Sequence, residues 1–144
     1  MALDALLALR DQIANDAGLN NFFVTHYNKA AKHIVGYKRS QNVNDYPCLC
    51  YVPVSSQTEG VNDRLKVSVI IGINEPIVTD DIMQGHIRLN ETVALLEPII
   101  NLGTLSDRAI VFPDYQLIYD FGERHPFYEL EVQLKLIWRR HPWV

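Results

Sequence analysis

Residues 127–138 read Phe-Tyr-Glu-Leu-Glu-Val-Gln-Leu-Lys-Leu-Ile-Trp, with an apolar side chain at nearly every second position. Tyr128, Leu130, Val132, Leu134, Leu136 and Trp138 fall on one side of an extended chain, and Glu129, Glu131, Gln133 and Lys135 on the other. That two-residue period marks an antiparallel strand with one buried and one solvated face. Twelve residues at roughly 3.3 Å each make a strand of about 40 Å, about twice the usual length. A domain this small is not expected to cover such a strand from end to end, so its outer portion is expected to reach toward a partner chain.

Working outward, residues 115–121 form a second strand, joined to the first by the polar connection Gly122-Glu123-Arg124-His125-Pro126. The length of that connection predicts an antiparallel hairpin. Residues 65–73 place Leu65, Val67, Val69, Ile71 and Ile73 on one face and Lys66, Ser68, Ile70 and Gly72 on the other, a β-branched strand. Residues 48–54 alternate Cys48, Cys50, Val52 and Val54 against Leu49, Tyr51 and Pro53. Pro53 has no N–H to donate, which puts it at a sheet edge or strand end. Residues 32–37 read as a short strand, residues 40–46 and 103–113 as loops, and the polar stretch 55–63 with Gly60 as a mobile loop.

Three segments carry a helical period. In residues 2–16, Leu3, Leu6, Leu7, Leu9, Ile13 and Ala14 form an apolar face, with Gly18 a candidate C-cap. Residues 19–26 read as a short second helix or a loop carrying Phe22, Phe23 and Val24. Thr79 or Asp80 is expected to cap a helix whose Ile82, His86, Leu89, Val93, Leu96 and Ile100 follow a 4,3,4,3,4 spacing. Pro98 is expected to kink or stop it. Strands before and after one long helix, with another helix in front, give an α+β fold class: a mostly antiparallel sheet with an N-terminal and a long central helix on one face and a long C-terminal β-hairpin. Neither a repeat nor a linker interrupts residues 1–144, so a single domain is expected.

At 144 residues the chain is long enough to bury roughly 68% of its unfolded surface. Its 48% hydrophobic and 21% charged residues are those of a folded globular protein. A net charge of -4 supplies no global Lys and Arg surplus for nucleic acid. The N-terminus lacks the basic start and cleavage site of a signal peptide, and no run approaches the roughly 20 apolar residues of a membrane span. A cytoplasmic protein with no membrane partner is expected, its Cys48 and Cys50 reduced because a bridge between them would be badly strained.

The residues point to no reaction. Cys48-x-Cys50 offers half of a zinc set without the other half. His86, beside Gly85 on the helical stripe, fits a ligand pocket, a catalytic base or a core-edge histidine bonded to a carbonyl, and the last is the commoner arrangement. Asp80-Asp81 fits a cation site or a helix start, where acids complement the macrodipole. Phosphate-binding glycine loops, nucleophile elbows and His-Glu-x-x-His are missing from the sequence, so no catalytic residue, cofactor or metal is assigned. Two features suit contacts with other chains. One is a basic face of Lys29, Lys32, Lys38 and Arg39 within residues 17–44, which hold no acid. It can face DNA or an acidic partner, or be a solvated surface. The other is a set of candidate interface residues around the long strand: Glu123, Arg124, His125 and Phe127 at its start, and Trp138, Arg139, Arg140 and Trp143 at its end. Aromatic residues and arginines are enriched in interface hot spots.

The leading helix, Gly36-Tyr37-Lys38-Arg39 passing through a polar loop to Tyr46-Pro47-Cys48, the strand 66–73, the helix 82–96 and the closing hairpin 115–138 follow one another in an order that resembles the tail terminator proteins of tailed bacteriophages. These are the minor tail protein U type, especially those of Mu-like, contractile-tailed prophages. The likeness spans nearly the whole chain without a catalytic motif. It implies an α+β protomer that closes into a homohexameric ring at the head-proximal end of the tail tube, ends tube growth and presents a head-joining surface. The implied partners are the tail tube protein, a head-completion protein and, passively, DNA in the lumen. The implied location is the bacterial host cytoplasm during assembly, then the virion tail. The alternatives are a small-molecule-binding or enzymatic α+β domain with a site near Gly85-His86, or another phage component such as a head-tail joining or baseplate protein.

Overall fold

A computed structural model describes residues 1–141; the expectation for Trp143 lies outside the described residues. Helices α1 (Ala2–Ala14) and α2 (Ala17–Tyr27) lead into strands β1 (Lys32–Val35), β2 (Cys48–Glu59) and β3 (Asn62–Asn74). A small hairpin, β4 (Val78–Thr79) and β5 (Ile82–Met83), precedes helix α3 (Gln84–Leu102). Strands β6 (Ala109–Val111), β7 (Gln116–Tyr119) and β8 (Phe127–Arg139) close the chain. The six-stranded sheet runs β1-β2-β3-β8, and the far edge of β8 is shared by β7 and β6. Only β1, parallel to β2, departs from antiparallel pairing. The class is α+β, as the alternation of strands and helices predicts.

The long strand sits in the middle of the sheet, and this corrects the expectation that it would be left partly uncovered. Every residue of β8 pairs with β3, from Phe127 opposite Asn74 to Arg139 opposite Asn62. The reason lies in residues 55–63, which are a hairpin and not a mobile loop. They prolong β2 to Glu59 and start β3 at Asn62 around Gly60, whose φ is +60°. Ser, Gln and Thr look loop-like by composition, but the register of β2 on β3 fixes them, with Thr58 Oγ1 donating to Asp63 Oδ1 at 3.0 Å and Arg64 paired with Glu59 at 3.0 Å. Pro53 lies past the last residue that β1 covers, where β2 is an edge, and the register slips between Pro53 and Ser55. Residues 103–113 are not all loop either. Ala109–Val111 add β6 to the distal end of β8.

One face of the sheet carries the helices. Leu6, Leu9 and Ile13 of α1 and Leu89, Val93, Leu96 and Ile100 of α3 pack on Val67, Val69, Ile71, Tyr128, Leu130, Val132 and Leu134, all buried. Residues 19–26 are helical within α2, whose N-cap Asp16 accepts from the Leu19 N–H at 2.9 Å. Gly18 lies inside that helix, and Asn15 takes the C-cap of α1 instead.

The start of α3 departs most from its expectation. Asp80 and Asp81 do not cap it. They have φ of +53° and +61° and form the two-residue turn between β4 and β5. Such a turn needs left-handed backbone at both positions, which Asp tolerates better than most residues. Ile82 therefore belongs to β5 and is half exposed, and the helix begins at Gln84. Nor does Pro98 stop the helix, which runs to Leu102 with Ile99 and Ile100 buried just after the proline.

Among the described residues the other face carries no α-helix. At one end a second, smaller apolar cluster of Tyr46, Cys48 and Cys50 packs with Ile34, Ile70 and Phe127. Among the described residues no helix is long and apolar enough to cross a membrane.

Candidate interaction surfaces

The segment 36–47 folds over the helix-free face and is held by residues from the β7–β8 connection. Arg124 pairs with Glu129 at 3.3 Å, donates from Nη2 to the Ser40 carbonyl at 3.1 Å, and lies 5.9 Å over the Phe127 ring. Phe127 in turn packs on Tyr46 with ring centroids 5.0 Å apart. The Tyr37 hydroxyl donates to Glu129 at 2.7 Å; partial burial, together with that carboxylate, holds the Tyr37 phenol above its ordinary range. Arg124 and Phe127 thus fasten a loop of their own protomer. His125 and Glu123 remain at the exposed edge of this end: His125 Nδ1 shares a hydrogen with the Tyr128 hydroxyl, and Glu123 accepts from the Phe121 N–H at 3.0 Å.

The residues at the far end of β8 are also occupied locally. Trp138 packs against the core with the Arg108 guanidinium 5.9 Å above its ring. Arg139 donates its N–H to the Arg108 carbonyl at 2.8 Å, and Arg140 reaches Asp63 at 3.3 Å. Eleven strand positions separate Phe127 from Trp138, about 36 Å at roughly 3.3 Å each. The residues assigned to one interface therefore form two groups at opposite ends of the sheet.

The basic residues are partly neutralised by the fold. Lys32 pairs with Asp45 at 2.8 Å, and Lys29 donates to the Asn44 carbonyl at 2.8 Å. The hydrogen bond from Lys32, then that from Ser40, lowers the Asp45 carboxyl to about 2. Lys38 and Arg39 stay exposed, and Arg39 lines an open cleft of about 550 Å³ with Gln41 and Arg124. No acid lies within residues 17–44, yet Asp45 follows directly and the fold sets it against Lys32.

Gly85 and His86 do not open onto a pocket between helix and sheet. A Cβ at Gly85 would come within 2.2 Å of the Tyr128 ring, and His86 meets the same ring edge-on at 5.1 Å. Tyr128 fills the space a ligand would need. Cys48 and Cys50 are buried thiols in the smaller cluster, and the hydrogen bond that the Cys48 thiol donates to Cys50, reinforced by burial, pushes the Cys48 thiol up. No group of three or more His, Cys, Asp or Glu that could hold a metal ion occurs among the described residues.

Two surfaces escaped the sequence reading. At the Asn74–Phe127 end, the β4–β5 hairpin, the start of α3 and the β7–β8 connection expose Ile77, Val78, Ile82, Met83 and Ile87, with Phe121 91% exposed. These elements meet: a methyl at Gly122 would lie 3.1 Å from Met83 Sδ and 3.2 Å from His86 Nε2. At the other end, on the helix-free face, a groove of about 470 Å³ runs over Arg64, Lys66 and Lys135 between Ser55–Gln57 and Phe112, and continues into a cleft of about 340 Å³ toward Gln133, Gln116 and Asp114. Lys66 and Lys135 stand directly opposite each other on β3 and β8. Strand register, which the sequence leaves open, is what joins them. The apolar end had a signal in Val-Thr-Asp-Asp-Ile-Met, two acidic turn residues between β-branched neighbours.

Neither protein-family models nor curated proteins match the chain.

Proposed function

We propose that this chain is a phage tail assembly protein that closes into a ring on the head-proximal end of the tail tube, ends tube growth and offers a surface to head-completion proteins. The reading rests on the resemblance in the order and character of its segments. The structural observation that supports it is the exposed apolar end formed by Ile77, Val78, Ile82, Met83, Ile87 and Phe121. Contiguous exposed apolar surface on a small protein marks an interaction site. The space beside Gly85 and His86 is filled by Tyr128, so the small-molecule alternative draws no support from that site.

Head-to-tail contacts that close give rings, and six copies of 16.5 kDa make a particle of about 99 kDa. Light scattering of the purified protein, alone and with isolated tail tubes, tests this together with electron microscopy of the mixture. Rings or capped tubes are the expected result. A protein that stays monomeric at every concentration and leaves tubes uncapped overturns the proposal.

A further inference from the structure

A ring needs two different surfaces per protomer that fit each other, and the chain carries a complementary pair. The first is the acidic tip of the β4–β5 hairpin, Asp80 and Asp81, both exposed and, among the described residues, without an ion pair or side-chain hydrogen bond. Their left-handed backbone presents both carboxyls at the end of a rigid two-residue turn, with Val78, Ile82 and Met83 as apolar flanks.

The second surface is the groove over Lys66 and Lys135. Like charges directly opposite on paired strands are unfavourable, and these two ammonium groups have no acidic partner among the described residues. Arg64 beside them is already paired with Glu59. The groove is walled by Ser55, Ser56 and Gln57, which supply hydrogen-bond partners, and by Phe112, which supplies an apolar contact. It is thus a cationic slot with a polar and an apolar wall, matched to an acidic tip with apolar flanks.

One protomer cannot bring the two together. Lys66 lies eight positions from the end of β3 at Asn74, about 26 Å at roughly 3.3 Å per residue. The hairpin follows that end, where the Glu75 N–H donates to the Pro126 carbonyl at 2.7 Å. Its two-residue strands span only about 7 Å. From these placements we infer that the Asp80–Asp81 hairpin of one copy seats in the Lys66–Lys135 groove of the next, a heterologous contact in which each copy gives its tip and receives a neighbour's. The inference rests on the ring reading above and names the surfaces that would build the ring.

Charge exchange tests it. The exposed pair Lys66→Glu/Lys135→Glu should weaken self-association about ten-fold or more by sedimentation velocity. Asp80→Asn/Asp81→Asn, which keeps residues that tolerate left-handed backbone, should do the same without disturbing the turn. Combining Lys135→Glu with Asp81→Lys should restore much of the association that either loses alone, while far-UV circular dichroism and Tm show each variant folded. Association unchanged in both double variants overturns the inference and leaves the ring reading standing. Association indifferent to these lysines, combined with loss of duplex DNA or polyphosphate binding in K66E/K135E, also overturns it and makes the groove a phosphate site. A wild-type chain that neither self-associates nor caps tail tubes overturns both readings.

Discussion

The two faces of the sheet are built from the same strands and obey different rules. On the helix-covered face the rungs from Leu65 to Ile73 are apolar and buried: Leu65 beside Leu136, Val67 beside Leu134, Val69 beside Val132, Ile71 beside Leu130 and Ile73 beside Tyr128. On the helix-free face the alternate rungs place Lys66 beside Lys135, Ser68 beside Gln133 and Ile70 beside Glu131. Only the Cys48 end is closed, by Tyr46 and Phe127 under the 36–47 loop. The first face is where apolar area leaves water, at about 25 cal/mol per Å², so it decides whether the chain folds. The second leaves Lys66 and Lys135 opposed and exposed, which costs stability, and a surface that carries such a cost is where contacts with other molecules are to be sought.

The largest expected effect breaks the covered face. Leu130→Ala should cost about 2–5 kcal/mol and lower Tm by about 10 °C, measured by thermal denaturation, since Leu130 is fully buried between β3 and the helices. Gly85→Ala should cost about 1–3 kcal/mol by denaturant titration, because its methyl meets the Tyr128 ring at 2.2 Å and the ring must move. On the open face Arg124→Ala should cost about 1–2 kcal/mol and raise protease cleavage within residues 36–46, since it releases both Glu129 and the Ser40 carbonyl. Global stability lost without faster cleavage of that loop would place Arg124 in the core's account instead of the loop's.

A smaller effect separates the faces by pH. Burial, then Arg10, holds the His33 imidazole below its ordinary 6.5, and its Nδ1 meets the Tyr51 hydroxyl at 2.7 Å. The folded pKa is the lower one, so the unfolded chain takes up more protons as pH falls through 6.5. The stability from neutral His33 is therefore complete above that value and is lost below it, down to the folded pKa. His33→Gln should flatten the slope of unfolding free energy between pH 7 and pH 5, and an unchanged slope would show that His33 is not the titrating group. The smallest effect has the opposite sign: Lys135→Gln should stabilise the protomer by roughly 0.2–1 kcal/mol by relieving Lys66. If it also weakens self-association, stability and assembly have been traded at one position, as the two-face comparison requires.

Most of the covered face was legible beforehand. The alternation in residues 65–73 and 127–138 and the helical spacing at Leu89, Val93, Leu96 and Ile100 each record burial directly, because a side chain's place in the period says which way it points. Ser55–Ser56–Gln57 was misread because pairing with β3, and not local composition, makes that stretch a strand. Asp80 and Asp81 were misread because the same two acids suit a helix start and a hairpin tip, and backbone handedness separates the two. Arg124 and Phe127 were recognised as consequential, but the loop they hold comes from more than 80 positions away in the chain.

What the amino-acid sequence determined by itself was the α+β class, the apolar face of each main element and the antiparallel pairing of the last two strands, all consequences of local period and turn length. What only the tertiary structure decided was register and therefore neighbours: that β8 lies at the centre of the sheet, that Lys66 faces Lys135, and that the hairpin carrying Asp80 and Asp81 follows the other end of β3, about 26 Å along the strand from Lys66. A two-residue period tells each side chain which face it joins. Which residue it meets there depends on how strands slide past one another, and that is settled by the whole core at once.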